Sequence, residues 1–483
     1  MAMELEEYCA NDATALAVLV STGQVKPSEL ISLARTACEE VNTALNAIIE
    51  FYDDAEEMNG PDTGVFAGIP FLRKDLGASE KGRLQERGSR LWRGHVAEQD
   101  TYFTQRAKAA GLRYVARTAT PEFGTSGCTT SILTGVTSNP WDLSRSAGGS
   151  SGGAAAAVAA GVAPIAHASD GGGSIRIPAS YCGLVGLNPS RGRGSAGPSR
   201  QDPSFGMSRE LVVCRTVRDM AAALDVFAGP EPGDPFVIVQ PERSFVDELQ
   251  HRTNTLRIGV ARTAWGGLDI DSTVLDVVDA TAKLLLELGH EVVELLPPLD
   301  LETLMRAVTG PVILGLADLG ATASALGREI GPDSVEPVNL ALYERAARMS
   351  AADALAVFEA MRKARADMGM ATEGFDVVVT PTMPAPVPRH GLYSTVRDDV
   401  SAEEHLENEV RNFGFLGIYN VTGQPSVTLP LGHGDDGLPI GVQFAARFAG
   451  EATLVRLARD IEEALPWQGR QPTVHATHSR VAG

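Results

Sequence analysis

Two glycine–serine clusters bracket one alanine-rich segment, and this arrangement constrains the chain more than any other feature in it. "SRSAGGSSGG" (144–153) runs directly into "AAAAVAAG" (154–161), and "SDGGGSIRIPAS" (169–180) follows shortly after. Glycine–serine runs behave as flexible linkers when nothing near them can pack. Here they flank a small-residue helix and follow a Trp-containing segment, Asn139-Pro140-Trp141, so they read as built loops. A phosphate-cradling loop needs Lys followed by Ser or Thr after its second Gly, and neither cluster has that. Gly148-Gly149-Ser150-Ser151-Gly152 has the spacing of a nucleophile elbow, but an elbow serine follows a buried strand, and "PWDLSRSA" is no strand.

The rest of the chain alternates strand and helix signals. Asn11 or Asp12 can cap a helix through Val20, ended by Gly23. Pro27 suits the first turn of a second helix, in which Leu30, Ala34, Ala37 and Val41 recur on one face. "GVFAGIPFLRKD" (64–75) reads as a buried strand or strand edge. "LRIGVA" (256–261) and "HEVVEL" (290–295) flank a periodic segment, Val274 to Leu288, as strand–helix–strand. "FDVVVTPT" (375–382) is another buried strand, "PSVTLPL" and "PIGVQFAA" pair across "GHGDDG", and 451–465 closes as an amphipathic helix. Segment 300–365 is mostly helical in composition. Interleaving of this kind predicts an α/β layered fold.

Chemistry then falls to Lys74, Ser150 and Ser174. A serine hydroxyl needs a base to become a nucleophile. No His lies in either cluster, and His167 reads as a packed residue. A lysine can be the base if burial keeps it neutral, and "GIPFL" before Lys74 provides an apolar setting. Gly171, Gly172 and Gly173 can turn backbone N–H groups toward one point, where they would hold a developing oxyanion. Each such donor contributes about 3–4 kcal/mol of barrier stabilisation.

"GGSSGGAAAAVAAG…DGGGSIRIPASYCGLVGLNPSRGR" resembles the amidase signature family, which hydrolyses amides with a Ser–cis-Ser–Lys triad. "AGIPFLRKDL" resembles the family's lysine segment and "ARTATPEFG" (116–124) its loop before the signature. "FDVVVTPT" and "NVTGQPSVTLPLG…GLPIGVQF" resemble its C-terminal strands, and the spacing of Ser150 and Ser174 is the family's own. The resemblance covers roughly 10–467. It implies one large α/β domain over 1–467, a mixed central sheet covered by helices on both faces. Within it lie a helical N-terminal segment (10–50), a signature core (64–228), a variable substrate-covering region (about 229–365) and C-terminal strands and helix (375–467). A loose tail (468–483) follows.

It further implies Ser174 as nucleophile, Ser150 after a cis peptide as proton relay and Lys74 as base. Gly171, Gly172 and Gly173, with the Ser174 N–H, would form the oxyanion hole, and Ser151, Asp170 and Arg176 would support the site, the last two as a pair. Gly171 and Ala119 depart from the family pattern, which usually has Thr and Asn there. "NPWDLSRSAGGSSGG", "RGRGSAGP" (191–198) and "ALPW" resemble members acting on small or oligomeric, mostly uncharged amides. Carbamates and aryl esters present the same carbonyl and stay open as substrates. A glutamine-amidase subunit of a tRNA-dependent amidotransferase is a further reading, although Ile177 stands where that type carries Gln. A GxSxG hydrolase and a degenerate binding protein complete the alternatives. Pocket walls are expected from 121–135, 195–210 and the helices of 300–365.

A formal net charge of −20 argues against nucleic acid and anionic membranes as partners. The five cysteines lie far apart without CxxC spacing and read as reduced core residues. No metal-ligating pattern and no cofactor motif is present. The acidic N-terminus lacks an apolar h-region, and Ala154–Ala168, the longest low-polarity run in this reading, is too short to span a bilayer. A cytoplasmic monomer or homodimer is expected.

Overall fold

The computed structural model describes residues 3–58 and 60–478. Among the described residues eleven strands form one mixed sheet: β1 Ile48–Phe51, β2 Pro70–Lys74, β3 Arg113–Thr118, β4 Ile165–Asp170, β5 Val185–Asn188, β6 Arg209–Cys214, β7 Arg257–Val260, β8 Glu291–Glu294, β9 Val377–Pro381, β10 Ser426–His433 and β11 Pro439–Ala446. Their spatial order is β1-β3-β2-β4-β6-β5-β10-β11-β9-β7-β8. β2 runs parallel to β3 and β4, and β7 runs parallel to β8 and β9. The central strands are joined antiparallel, with β10 opposite β11 over Ser426↔Ala445 to His433↔Pro439. β2, β4, β5, β9 and β11 are buried along their whole length. A strand buried on alternating sides requires cover on both faces of the sheet.

The expected elements form where their chemistry puts them. Asp12 caps the helix Ala13–Ser21 by accepting from the Ala15 N–H, and Pro27 opens Pro27–Leu45. The alanine run becomes the helix Gly152–Ala159, every residue of it buried. Methyl-sized side chains let this helix lie close against β4 and Pro27–Leu45. A helix preceding the expected N-terminal segment, Leu5–Ala10, had no clear signal in its acidic sequence.

Two expectations change. The described part of the tail is tied down: the Val474 N–H donates to the Pro140 carbonyl and the Ala476 N–H to the Ala160 carbonyl, both at 2.9 Å, and His475 and Ala476 are buried. Residues 479–483 lie outside the described set. Among the described residues one stretch, Leu301–Ala325, is long and apolar enough by length and composition to cross a membrane, so Ala154–Ala168 is not the longest low-polarity run. It is two helices, Leu301–Leu314 and Leu319–Ala325, and the first packs on Ala351–Thr372 and Ala402–Thr422.

Candidate active site

β2 and β4 run parallel, so Lys74 and Asp170 end at the same edge of the sheet. Parallel strands place ligand sites at that carboxyl edge. Lys74 is fully buried. Its Nζ lies 2.8 Å from Ser150 Oγ, 2.9 Å from Ser151 Oγ and 3.0 Å from Ser169 Oγ. Among the described residues no carboxylate forms an ion pair with it. Burial pushes the amine down to about 7, against the upward pull of Asp170 and Glu210. Ser169 is a contributor absent from the expected set, and its place one residue before Asp170 on β4 is the signal that points to it.

The loop carrying Ser150 is held from several sides. The Gly149–Ser150 peptide is cis. The Thr120 hydroxyl donates to the Ser150 carbonyl at 2.9 Å, and the Thr129 hydroxyl donates to the Gly148 carbonyl at 2.8 Å. A Cβ on Gly149 would stand 2.6 Å from the Ser126 carbonyl oxygen and 2.7 Å from Cys128 N, so only glycine lets the two loops approach this closely. The Ser151 hydroxyl donates to the Ser169 carbonyl at 3.3 Å, joining the loop to β4.

Asp170 and Arg176 form a buried bidentate pair, Nε to Oδ2 and Nη2 to Oδ1, both 2.9 Å. Arg176 also donates to Asn420 Oδ1 at 2.6 Å, Gln443 Oε1 at 2.7 Å, and Ser426 Oγ and the Leu416 carbonyl at 3.1 Å. Burial alone would raise the Asp170 carboxyl, but the Arg176 charge and the surrounding donors hold it down to about 2. Asp170 in turn accepts from the Gly173 N–H at 2.7 Å and the Ile175 N–H at 3.1 Å. The Gly173 N–H, expected as an oxyanion donor, thus already donates to a carboxylate in this structure. The N–H groups of Gly171, Gly172 and Ser174 have no hydrogen-bond acceptor among the described residues. Asn420, Ser426 and Gln443 sit some 250 residues along the chain, and no local pattern linked them to Asp170.

Ser150, Ser169, Gly171, Gly172 and Ser174 line one cavity of about 480 Å³. Ser174 is half-buried, and no described residue hydrogen-bonds its hydroxyl. The walls come from 123–127, 196–208 and the Leu301–Leu314 and Leu319–Ala325 helices, within the expected segments. Two further contributors were not foreseen: Arg87 and Trp92 after β2, and Leu406, Glu409, Val410 and Phe413 from Ala402–Thr422. Burial raises the Glu409 carboxyl to about 8, against the Gly127 N–H that donates to it at 3.0 Å. The five cysteines are all buried and unpaired, and burial pushes each thiol up, away from the reactive thiolate.

The amidase family model matches residues 29–455. The 6-aminohexanoate-cyclic-dimer hydrolase of Pseudomonas sp. (strain NK87) is 35% identical over 473 residues, covering 95% of this chain and 96% of its own. The solved structure of a 6-aminohexanoate cyclic dimer hydrolase complexed with substrate superposes with a TM-score of 0.90 at 34% identity, over 96% of this chain and 99% of that one. A bacterial aryl acylamidase of the amidase signature family gives a TM-score of 0.84 at 25% identity, over 95% and 99%.

Proposed function

The chain belongs to the amidase signature family and is a hydrolase of amide C–N bonds, and from that premise we propose that it works through a Ser174–Ser150–Lys74 relay and a covalent acyl-enzyme. The observation that carries the reading is Lys74, fully buried with three hydroxyl oxygens around its Nζ at 2.8–3.0 Å. Neutral Lys74 takes the Ser150 hydroxyl proton, and Ser150 takes the proton of Ser174. The Ser174 oxygen bonds to the substrate carbonyl carbon, and the carbonyl oxygen gains the negative charge. The N–H groups of Gly171, Gly172 and Ser174 receive that charge, each free of a prior acceptor. The C–N bond then breaks, and the amine leaves with a proton returned through Ser150. Water adds to the acyl carbon by the same relay in reverse, releasing the acid and restoring the three residues.

Substrates are small or oligomeric amides that fit about 480 Å³. Carbamates and aryl esters meet the same donors at the same carbonyl and form a second substrate class. Ile177, a buried residue that lines the cavity with Ser174, stands against the amidotransferase-subunit reading. The test is to incubate the protein with an anilide, an aliphatic oligoamide, a carbamate and a nitrophenyl ester, quench with acid and map adducts by mass spectrometry. An acyl group on Ser174, absent in Ser174→Ala, is expected. Turnover without any Ser174 adduct, or turnover that survives Ser174→Ala, contradicts the relay.

A further inference from the structure

Arg87 lies in the turn that follows β2 and lines the same cavity as Ser150 and Ser174. Its backbone is left-handed, with φ 55°. Non-glycine residues seldom occupy that region, and those that do are held there by their surroundings. Four hydrogen bonds do so here. The Arg87 N–H donates to the Asp75 carbonyl and the Phe123 N–H donates to the Arg87 carbonyl. On either side, the Glu86 and Gly88 N–H groups donate to the Asp75 carboxylate at 2.8 and 3.1 Å. The side chain lies over the Trp92 ring, with the guanidinium carbon 4.7 Å from its centroid.

Arg87 is half-buried, and the buried guanidiniums among the described residues all have hydrogen-bond acceptors, though Arg73 and Arg209 have only neutral oxygens. Arg117 is paired with Glu50, Asp75 and Glu86, Arg176 with Asp170, and Arg193 with Glu451. Among the described residues no carboxylate pairs with Arg87 and no acceptor takes a hydrogen bond from its side chain. The acids near it in sequence are already engaged: Glu86, its immediate neighbour, by Arg117, and Asp75 by Arg117 and the two turn amides. Three carboxyl groups line the cavity: Glu409, held by the Gly127 N–H, Asp318, exposed at the cavity edge, and Glu210 beneath Gly77. None forms an ion pair with Arg87. A second guanidinium, Arg200, lines the cavity and repels the first, while Asp75 and Asp318 attract it without pairing with it. A planar fork without a protein acceptor, clamped at a strained backbone position and facing a like charge, matches a bidentate anion.

We propose that Arg87 is a carboxylate receptor in the substrate cavity, and that the amides cleaved here include ones that carry a carboxylate away from the scissile bond. The inference rests on the amide-hydrolase reading of the cavity and names a substrate class within it. It departs from the mostly uncharged amides implied by the sequence resemblance.

Three 4-substituted anilides separate the outcomes: butyryl 4-nitroanilide (neutral), glutaryl 4-nitroanilide (carboxylate on the acyl side) and N-butyryl-4-aminobenzoate (carboxylate on the amine side). In the wild type, kcat/KM for one carboxylated anilide is expected to exceed that for its methyl ester by about tenfold or more, and the advantage should shrink with added salt. Arg87→Gln is expected to bring that ratio close to one, while Arg87→Lys keeps part of it. No advantage for either carboxylated anilide, or an advantage that persists in Arg87→Gln, overturns the proposal. Should Arg87→Gln fail to fold, competitive inhibition of the wild type by glutarate, measured against its dimethyl ester, decides the same point: equal inhibition by both overturns it. Absence of hydrolysis of all three anilides would count against the relay instead. Glutarate binding by calorimetry, expected to be salt-sensitive, would then still support or reject Arg87 as the receptor.

Discussion

Lys74 and Arg176 are both buried cations at one edge of the sheet, and their surroundings treat them in opposite ways. Arg176 receives a bidentate carboxylate and four further oxygen acceptors. Lys74 receives three hydroxyls and no carboxylate. The first arrangement keeps a charge in place and makes it a brace. The second withholds the partner, so burial pushes the amine toward neutrality and leaves a lone pair for proton transfer. The lesson is that the partner, more than burial itself, decides whether a buried cation supports the fold or performs chemistry.

The largest expected effect comes from removing each cation in turn. Lys74→Met should lower kcat/KM by at least about a thousandfold, as loss of a general base does, with the urea midpoint unchanged or raised because a buried amine has been replaced by an apolar group of similar volume. Arg176→Met should do the reverse in kind: it leaves the Asp170 carboxylate buried without its counter-charge, at a cost of about 3–5 kcal/mol in unfolding free energy. Equal stability losses in the two variants would break the comparison.

A smaller effect sharpens it. Below about pH 7 the Lys74 amine takes up a proton and cannot accept one from Ser150, so kcat/KM should fall with pH through that region. Ser169→Asp places a carboxylate beside the amine and makes Lys74 resemble Arg176. The acid limb of the pH profile should then move upward by about 1–3 units. An unmoved limb would mean that the amine is not the titrating group.

The smallest concerns the loop between the two cations. A Cβ at Gly171 would meet Ser208 only at 3.8 Å, whereas one at Gly173, where φ is 137°, would stand 2.7 Å from Leu416 Cδ1. Gly171→Ala should therefore raise thermal stability by about 0.4–1 kcal/mol, and Gly173→Ala should lower it. Melting curves of the two variants check the signs.

Much of this site could be read in the sequence because it is written locally. Lys74, Ser150, Ser174, Asp170 and Arg176 lie within short glycine-rich or apolar motifs, and the periodic segments became the expected strands and helices. What escaped reading arrives from a distance. Asn420 reaches Asp170 and Arg176 from Ala402–Thr422 and Gln443 reaches Arg176 from β11, and Glu409 and Phe413 enter the cavity from that same helix. Gly173 looked like an oxyanion donor because three glycines in a row carry three equivalent amides; the Asp170 side chain, invisible to a count of glycines, claims one of them. Arg87 stood in an ordinary charged stretch, "KGRLQERGSRLWRG", and nothing in its spacing distinguished a cavity residue from a solvated one. The tail looked loose because it is polar, yet backbone hydrogen bonds to Pro140 and Ala160 need no apolar side chains.

The central claim concerns the protonation state of one amine. With lysine labelled by carbon-13 at the ε position, the Lys74 signal can be assigned by its absence in Lys74→Met and followed by NMR across pH. A midpoint near 7 is the result this account predicts. A midpoint at or above about 10, the range of an unperturbed lysine, would mean that Lys74 stays charged at neutral pH and cannot be the base.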